Sequence, residues 1–255
     1  MTQKRLPILD IWVDPIGMAE VLERVSLFVE QGERAHVIYA SNPEKNFSVP
    51  KNPHLYRCFQ DADLLIPDGV GMVVAARILY GVNIERVTGC DLMQNICVLA
   101  AAKGYKIFLY GAKEEVSKQA AEMLRERYPG IQIAGRANGY IPPGRMDELV
   151  ASINESGAQI LFVALGSPAQ ENWVASYKNR LAHVRLCQGI GGTLDVVAGT
   201  VKRAPDLFRR LGLEWLYRLI EDPSRWHRQR ILPIFVWRVV WAKIKSLLAG
   251  GRKRV

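Results

Sequence analysis

The stretch Leu64-Leu65-Ile66-Pro67-Asp68-Gly69 joins a short apolar run to a turn that contains proline and glycine. Such a run predicts a buried strand that ends at the turn. In open parallel sheets, ligands bind at the carboxyl ends of the strands. Asp68 is therefore a candidate general base, but it is also a good N-cap for a helix that starts at Val70. The spacing alone favours neither interpretation.

Apolar runs alternate with helical patterns along most of the chain. The predicted strands are Ala35–Ala40, Asp63–Ile66, Lys106–Tyr110, Ile131–Ala134, Ile160–Ala164 and Arg185–Gly189. The predicted helices are Met18–Glu30, Val70–Tyr80, Asp91–Lys103, Lys113–Tyr128, Arg145–Ser156 and Ala169–Leu181. This alternation predicts an α/β fold with a Rossmann-like, mostly parallel sheet flanked by helices.

Composition narrows the class of protein. The chain has 255 residues, of which 49% are hydrophobic and 23% charged, so we expect a globular protein with a substantial core. Its four cysteines form no CxxC pair and its four histidines are scattered, which indicates reduced thiols and no metal site. The N-terminus lacks the pattern of a signal peptide.

The net charge of +9 is concentrated at the C-terminus, because residues 201–255 hold 14 Lys and Arg against 4 Asp and Glu. We therefore divide the chain into an α/β core, residues 1–200, and a basic helical appendage, residues 201–255. Trp237, Trp241, Ile244 and Leu248 form one stripe at helical spacing, which favours a helix lying in a membrane interface over an ordinary core helix. The charges nearby argue against a transmembrane helix.

Three predicted strands end in glycine-bearing turns, at Gly111, Gly166 and Gly191. Each glycine is explained by a tight turn alone, but three at one sheet edge suggest a nucleotide-linked ligand. The P-loop and GxGxxG patterns of NTPases and dehydrogenases are missing. Gln170 opens the helix after Gly166 and could donate to a sugar or phosphate oxygen, whereas Asp195 is either a base contact or a turn residue. Asp61-Ala62-Asp63 spells DxD, but it precedes its strand and is interpreted as structural.

Longer motifs carry a resemblance. The chain resembles the TagA/WecG/CpsF family of glycosyltransferases from about Ile8 to the mid-240s, through motifs that occur in this order: Ser41-Asn42-Pro43-Glu44, Ile66-Pro67-Asp68-Gly69, Glu85-Arg86-Val87-Thr88-Gly89, Ala164-Leu165-Gly166-Ser167-Pro168-Ala169-Gln170-Glu171, Gly191-Gly192-Thr193-Leu194-Asp195, Val201-Lys202-Arg203-Ala204-Pro205 and Leu213-Glu214-Trp215-Leu216-Tyr217-Arg218.

The resemblance implies an inverting transferase that needs no metal and no cofactor. It would move N-acetylmannosamine from a UDP-sugar to undecaprenyl-diphosphate-linked GlcNAc at the cytoplasmic face of the cell membrane, in teichoic acid-type wall synthesis. N-acetylmannosaminuronic acid or glucose, in exopolysaccharide synthesis, is the alternative donor sugar. Rivals from other classes are a non-catalytic binder of nucleic acid or other anionic polymers, and a dinucleotide-dependent oxidoreductase. An anionic membrane surface is an expected partner, and nucleic acid is not. A homo-oligomer is possible.

The resemblance also implies roles for single residues. Asp68 matches the catalytic base, Arg86 and Gln170 match other active-site residues, and Tyr140 and Asp195 match uracil contacts. Arg218, Arg225 and Arg228 match arginines of the appendage that close over the site, with lipid-headgroup binding as the alternative role. Substrate contacts are expected at Ser41 and Asn42 and at the turns of Gly111, Gly166 and Gly191. The chain departs from the family at Ala40, where a threonine is frequent, so a hydroxyl contact is lost unless Ser41 supplies it. The appendage is expected to complete the active site at the membrane.

Overall fold

A computed structural model describes residues 4–249, apart from the side chains of Arg225 and Arg228. In chain order its strands are β1 Leu6–Ile8, β2 Ile11–Val13, β3 His36–Ser41, β4 Leu64–Pro67, β5 Lys106–Gly111, β6 Gln132–Ala137, β7 Ile160–Ala164 and β8 Leu186–Gly189. Its α-helices are α1 Met18–Gln31, α2 Lys45–Ser48, α3 Pro53–Gln60, α4 Val70–Tyr80, α5 Gly89–Lys103, α6 Glu114–Arg127, α7 Met146–Glu155, α8 Ala169–Tyr177, α9 Thr193–Val197, α10 Asp206–Arg210, α11 Glu214–Glu221, α12 Trp226–Gln229 and α13 Ile231–Leu248.

The predicted α/β fold is confirmed. Six strands form one parallel sheet in the order β4-β3-β8-β7-β5-β6, and β1 and β2 form a separate antiparallel hairpin. All five residues of β7 are buried, because helices cover both faces of the sheet. Helices α3, α4, α7 and α8 pack on one face. Helices α1, α5, α6 and α9 pack on the other.

The connections place a topological switch point at the carboxyl edge of the sheet. β5 and β7 are neighbours, but the helix that follows β5 packs on one face and the helix that follows β7 packs on the opposite face. In α/β proteins, ligands bind at such switch points, next to the loops that follow the two strands. The Gly111 and Gly166 turns are those loops here.

Several elements were not predicted, among them the β1–β2 hairpin and the helices α2, α3 and α9. The turn of the β1–β2 hairpin is formed by Leu9 and Asp10, and Leu9 has a φ of 56°. The hairpin was not predicted because its turn lacks the usual Asn-Gly or Asp-Gly pattern. Helix α3 is only eight residues long, but it carries a start signal: the Asn52 side chain accepts hydrogen bonds from two backbone N–H groups, and Pro53 follows it.

The end of the chain forms short helices and then α13, which packs against α4. Phe235 and Val239 of α13 are buried in the core on that face of the sheet. Arg238 pairs with Asp10 at 2.7 Å, and Lys243 donates to the carbonyl of Leu79 at 3.1 Å. Within residues 4–249, every helix is too short or too polar to cross a membrane.

The predicted tryptophan stripe of α13 lies on its uncovered side. Trp237 is 63% exposed and Trp241 45%, and the two rings stack with their centroids 6.3 Å apart. Ile244 and Leu248, one and two turns further on, are exposed as well. The helix therefore docks through one face and presents a second apolar face outward.

Asp63 lies directly before β4, at the edge of the sheet opposite the glycine turns. Its carboxylate accepts from Arg34 at 2.5 and 3.1 Å and from the Val37 N–H at 2.8 Å, and it lies 2.9 Å from His36 Nδ1. Burial alone would raise the pKa of Asp63, but the hydrogen bonds from Arg34 and His36 outweigh it and lower that pKa. The DxD pattern is structural here, as the sequence predicts.

We expect Asp63→Asn to lower the free energy of unfolding at pH 7 by about 1–3 kcal/mol, since charge-assisted hydrogen bonds are lost. Because the folded pKa is depressed, this contribution is present above the unfolded pKa of about 3.9 and disappears as pH falls through the folded value. Urea unfolding from pH 7 to pH 3 measures it. Asp61→Asn, at an exposed position two residues away, is the control. An equal loss in both variants would contradict the assignment.

Candidate active site

Asp68 lies directly after β4, at the carboxyl edge of the sheet, and its backbone N–H donates to the Ser41 carbonyl at 2.9 Å. The N-cap of α4 is Gly69, which has a φ of 95°, and no side chain caps this helix. The N-cap interpretation of Asp68 is therefore wrong, because a glycine in a conformation that side chains rarely adopt takes that position. The Asp68 carboxyl is left for other chemistry.

Charges from the C-terminal helices converge on Asp68. The pKa of this carboxyl is raised to about 6, mainly by burial and also by the negative charge of Glu214, while Arg218 and Arg86 act in the opposite direction. Glu214 and Arg218 lie one turn apart on α11 and pair with each other at 2.5 Å. Of the predicted active-site residues, the fold thus brings Asp68, Arg86 and Arg218 into one electrostatic neighbourhood.

The start of α5 anchors the segment that leads to α11. Asp91, in the first turn of α5, contacts Arg203 and lies 3.9 Å from Arg209. The Arg86 guanidinium donates to the carbonyl of Arg209 at 2.7 Å. Two core residues, Arg86 and Asp91, therefore hold the appendage against the edge where Asp68 lies.

Sequence reasoning assigned no role to Asp91, Arg203, Arg209 or Glu214. Arg203 and Glu214 fall inside the motifs quoted above, and that position was the one available signal. The contact between Arg203 and Asp91 joins residues 112 positions apart, so no local pattern indicates it.

The three predicted glycine turns lie at the carboxyl ends of β5, β7 and β8. A side chain at Gly111, whose φ is 130°, would place its Cβ 2.3 Å from the Ala164 carbonyl oxygen, so only glycine fits. Gly166 and Gly191 have φ values of 73° and 53°, and a Cβ there would meet nothing within 4 Å. Open space beside these two turns gives a ligand access to the backbone.

A buried ion pair lies behind these turns and was not predicted. Lys45 Nζ is 2.9 Å from Glu171 Oε1, and the two side chains are 10% and 1% exposed. Lys45 also donates to Ser167 Oγ. The side-chain oxygen of Gln170 accepts from the Gly191 N–H at 3.0 Å, so Gln170 ties α8 to the turn after β8. A lysine in a short polar segment is normally expected to be exposed to solvent, so nothing in the sequence predicts this buried pair.

Ser41 and Asn42 have partners within the protein. The Ser41 hydroxyl is fully buried and donates to the Trp12 carbonyl at 2.7 Å, which fastens β2 to β3. Asn42 Oδ1 accepts from the Lys45 N–H at 3.2 Å. Ser41 therefore does not supply the hydroxyl contact that Ala40 lacks. Ala40 itself lies beside the start of α5, where a Cβ at Gly89 would be 3.9 Å from its methyl group.

The two residues expected at uracil both lie near elements that follow β5. Tyr140 is 73% exposed, and the preceding Gly139 donates to the Ala112 carbonyl at 2.8 Å, which places this loop over the end of β5. Asp195 lies within α9, which packs against α6, the helix after β5. Their contact with a base stays a prediction.

Arg225 and Arg228, two of the expected appendage arginines, lie in consecutive short elements. Arg225 ends a 3-10 turn that begins at Pro223, and Arg228 lies in α12. The turn is tighter than an α-helix because the Trp226 N–H bonds to the Pro223 carbonyl, three residues back. Their side chains lie outside the described part of the chain.

Across residues 4–249, no three His, Cys, Asp or Glu side chains come together in a way that could hold a metal ion. Cys58, Cys90, Cys97 and Cys187 are all buried free thiols.

We expect Asp68→Asn to stabilise the protein at pH 7 by about 1–3 kcal/mol, because the folded state disfavours the ionised carboxyl. With the folded pKa at about 6, the wild type loses this stability as pH rises from about 4 to 6, and the variant does not. Urea unfolding at pH 4 and at pH 7 should show equal stabilities at the lower pH and a gap at the higher. A gap of the same size at both pH values would contradict it.

Comparison with known proteins agrees with the motifs. The model of the glycosyl transferase WecG/TagA/CpsF family matches residues 6–248. A Bacillus spizizenii protein named N-acetylglucosaminyldiphosphoundecaprenol N-acetyl-beta-D-mannosaminyltransferase is 35% identical over 213 residues, which cover 84% of this chain and 81% of the relative. A Bacillus subtilis protein of the same name is 35% identical over 204 residues, covering 80% and 78%. The chain belongs to the WecG/TagA/CpsF family of glycosyl transferases.

Proposed function

We propose that this glycosyltransferase moves N-acetylmannosamine from a UDP-sugar to undecaprenyl-diphosphate-linked GlcNAc, with inversion and without a metal. The names of the two Bacillus relatives support the sugar and the acceptor. The observation that carries the mechanism is Asp68, a carboxyl at the ligand edge whose pKa is raised to about 6.

Asp68 suits the role of general base. Inversion in one displacement needs a group that takes the proton of the acceptor hydroxyl as the hydroxyl attacks the anomeric carbon. A base with a pKa near 6 is ionised at neutral pH and is a stronger proton acceptor than an ordinary aspartate. The Asp68 N–H is hydrogen-bonded to the carbonyl of Ser41 in β3, which fixes the backbone position from which the carboxyl projects.

The arginines near Asp68 are suited to stabilising the UDP leaving group. As the glycosidic bond breaks, negative charge grows on the UDP diphosphate, and fixed guanidinium groups stabilise it. Arg86 and Arg218 already lie within electrostatic range of Asp68. Arg225 and Arg228, a few residues beyond α11, are proposed to join them, so the cations replace a metal ion.

The proposed donor lies along the carboxyl edge of the sheet. Its uracil would be held near Tyr140 and Asp195, and its diphosphate would cross the open turns at Gly166 and Gly191. β4 and β7 are separated by three strand spacings, roughly 14 Å. An extended nucleotide sugar along this line brings its anomeric carbon towards Asp68.

The test is a transfer assay with a polyprenyl-diphosphate GlcNAc analogue and a panel of UDP-sugars, in the presence of EDTA. We expect UDP release with UDP-N-acetylmannosamine and a loss of at least about 100-fold in Asp68→Asn, since the general base is removed. The rate constant kcat/KM should fall below pH 6, where Asp68 is protonated.

Asp61→Asn, at the opposite sheet edge, is the matched control and should keep full activity. Turnover with UDP-N-acetylmannosaminuronic acid or UDP-glucose instead would keep the mechanism and change the pathway. Loss of activity in EDTA, or full activity in Asp68→Asn, would contradict the mechanism.

We further propose that the appendage, residues 201–255, binds the anionic inner surface of the cell membrane, where the lipid acceptor lies. Its support is the outward apolar face of α13, with Trp237 and Trp241 beside Lys245, whose ammonium lies 5.5 Å from the Trp241 ring. Tryptophan and basic side chains on one helix suit the headgroup region. Residues 201–255 also carry the excess positive charge of the chain.

Vesicles of phosphatidylglycerol and phosphatidylcholine test this surface by sedimentation. We expect the double variant Trp237→Ala/Trp241→Ala to bind at least about tenfold more weakly, because two large apolar side chains no longer leave water. Val98→Ala, which removes an exposed apolar side chain from α5, is the control. Equal binding by the double variant and the control would contradict the proposal.

A further inference from the structure

The Lys45–Glu171 pair is an unusual feature of the carboxyl edge. Both side chains are buried, and Glu171 Oε2 has no hydrogen-bond partner in the part of the chain that the structure describes. Burying two charges costs desolvation energy that their attraction often fails to recover, so such a pair is weak evidence for stability. A role in orienting neighbouring groups gives a more direct reason for its presence.

The neighbour that Lys45 orients is Ser167. The lysine ammonium is a donor only, so Ser167 Oγ accepts its hydrogen bond. The hydroxyl hydrogen of Ser167 must then point away from Lys45. Among residues 4–249 it has no acceptor, and Ser167 is exposed. The arrangement leaves a hydroxyl donor at the surface with a positive charge directly behind it.

This donor lies where the proposed nucleotide would bind. Ser167 follows Gly166 at the end of β7, at the switch point between β7 and β5, and the space next to Gly166 is open. A hydroxyl polarised by an ammonium group favours an anionic acceptor, since the hydrogen bond becomes charge-assisted. The carboxylate of Glu171 lies on the buried side of Lys45 and holds the ammonium in place.

We propose that Ser167 donates a hydrogen bond to the diphosphate of the bound nucleotide, and that Lys45 and Glu171 are positioning residues that aim it. This inference rests on the proposed function, because it takes the ligand to be a uridine diphosphate. The same pair supports the next turn, as Gln170 lies 3.5 Å from Glu171 Oε1 and accepts from the Gly191 N–H.

The test is calorimetric binding of UDP and of uridine to the full chain. We expect Ser167→Ala to weaken UDP binding about tenfold, the value of one hydrogen bond to a charged group, and to leave uridine binding unchanged. Ser167→Thr keeps the hydroxyl and should restore most of the affinity. Because Ser167 is exposed, neither variant should change the thermal midpoint.

The positioning role is tested by the neutral double variant Lys45→Met/Glu171→Gln, which leaves no unpaired buried charge. It should weaken UDP binding by a similar factor, and adding Ser167→Ala to it should cost little more, since the residues act through one contact.

The outcomes separate the two proposals. If the wild type binds UDP and Ser167→Ala binds it equally well, or if UDP and uridine binding fall together, the inference about Ser167 is wrong and the proposed function stands. If additive losses occur in the combined variant, Lys45 and Glu171 do not act through Ser167. If the wild type does not bind UDP, the proposed function fails and this inference fails with it.

Discussion

The parallel arrangement of six strands is the constraint on which every other feature depends. Because each strand runs in the same direction, all six carboxyl ends meet at one edge, and residues far apart in sequence share one surface. Asp68, Gly166 and Gly191 lie there for this reason alone. The opposite edge carries Asp63, whose carboxylate is taken up by hydrogen bonds with Arg34, His36 and the Val37 N–H.

The sheet supplies one half of the candidate site and the appendage the other. Asp68 has a carboxyl and an anchored backbone, but its electrostatic environment comes from Glu214 and Arg218 on α11. These groups reach it because Asp91 and Arg86 bind the preceding segment. Removing the appendage would therefore change the proton affinity of Asp68, even where the sheet stayed intact.

Local patterns in the sequence predicted the features that depend on local physics. Apolar runs and turns located the six sheet strands, and glycines at strand ends located the open turns. The Lys45–Glu171 pair could not be predicted, because it joins residues 126 positions apart and depends on which strands become neighbours. The N-cap of α4 shows a different limit: Asp68 and Gly69 both suit that position, and only the backbone φ at Gly69 decides between them.

The seam between α13 and α4 has a consequence for how such a chain can diverge. A Cβ at Gly71 would lie 2.6 Å from Pro43 and 3.5 Å from Phe235, so three segments meet there without space for a methyl group. One of them follows β3, one begins next to Asp68, and one is the appendage. The outward face of α13, with Trp237 and Trp241, is exposed, so single substitutions there meet no packed neighbour in the core, whereas the inward face must change in step with Gly71 and Pro43. The two faces of this one helix are therefore under different packing constraints.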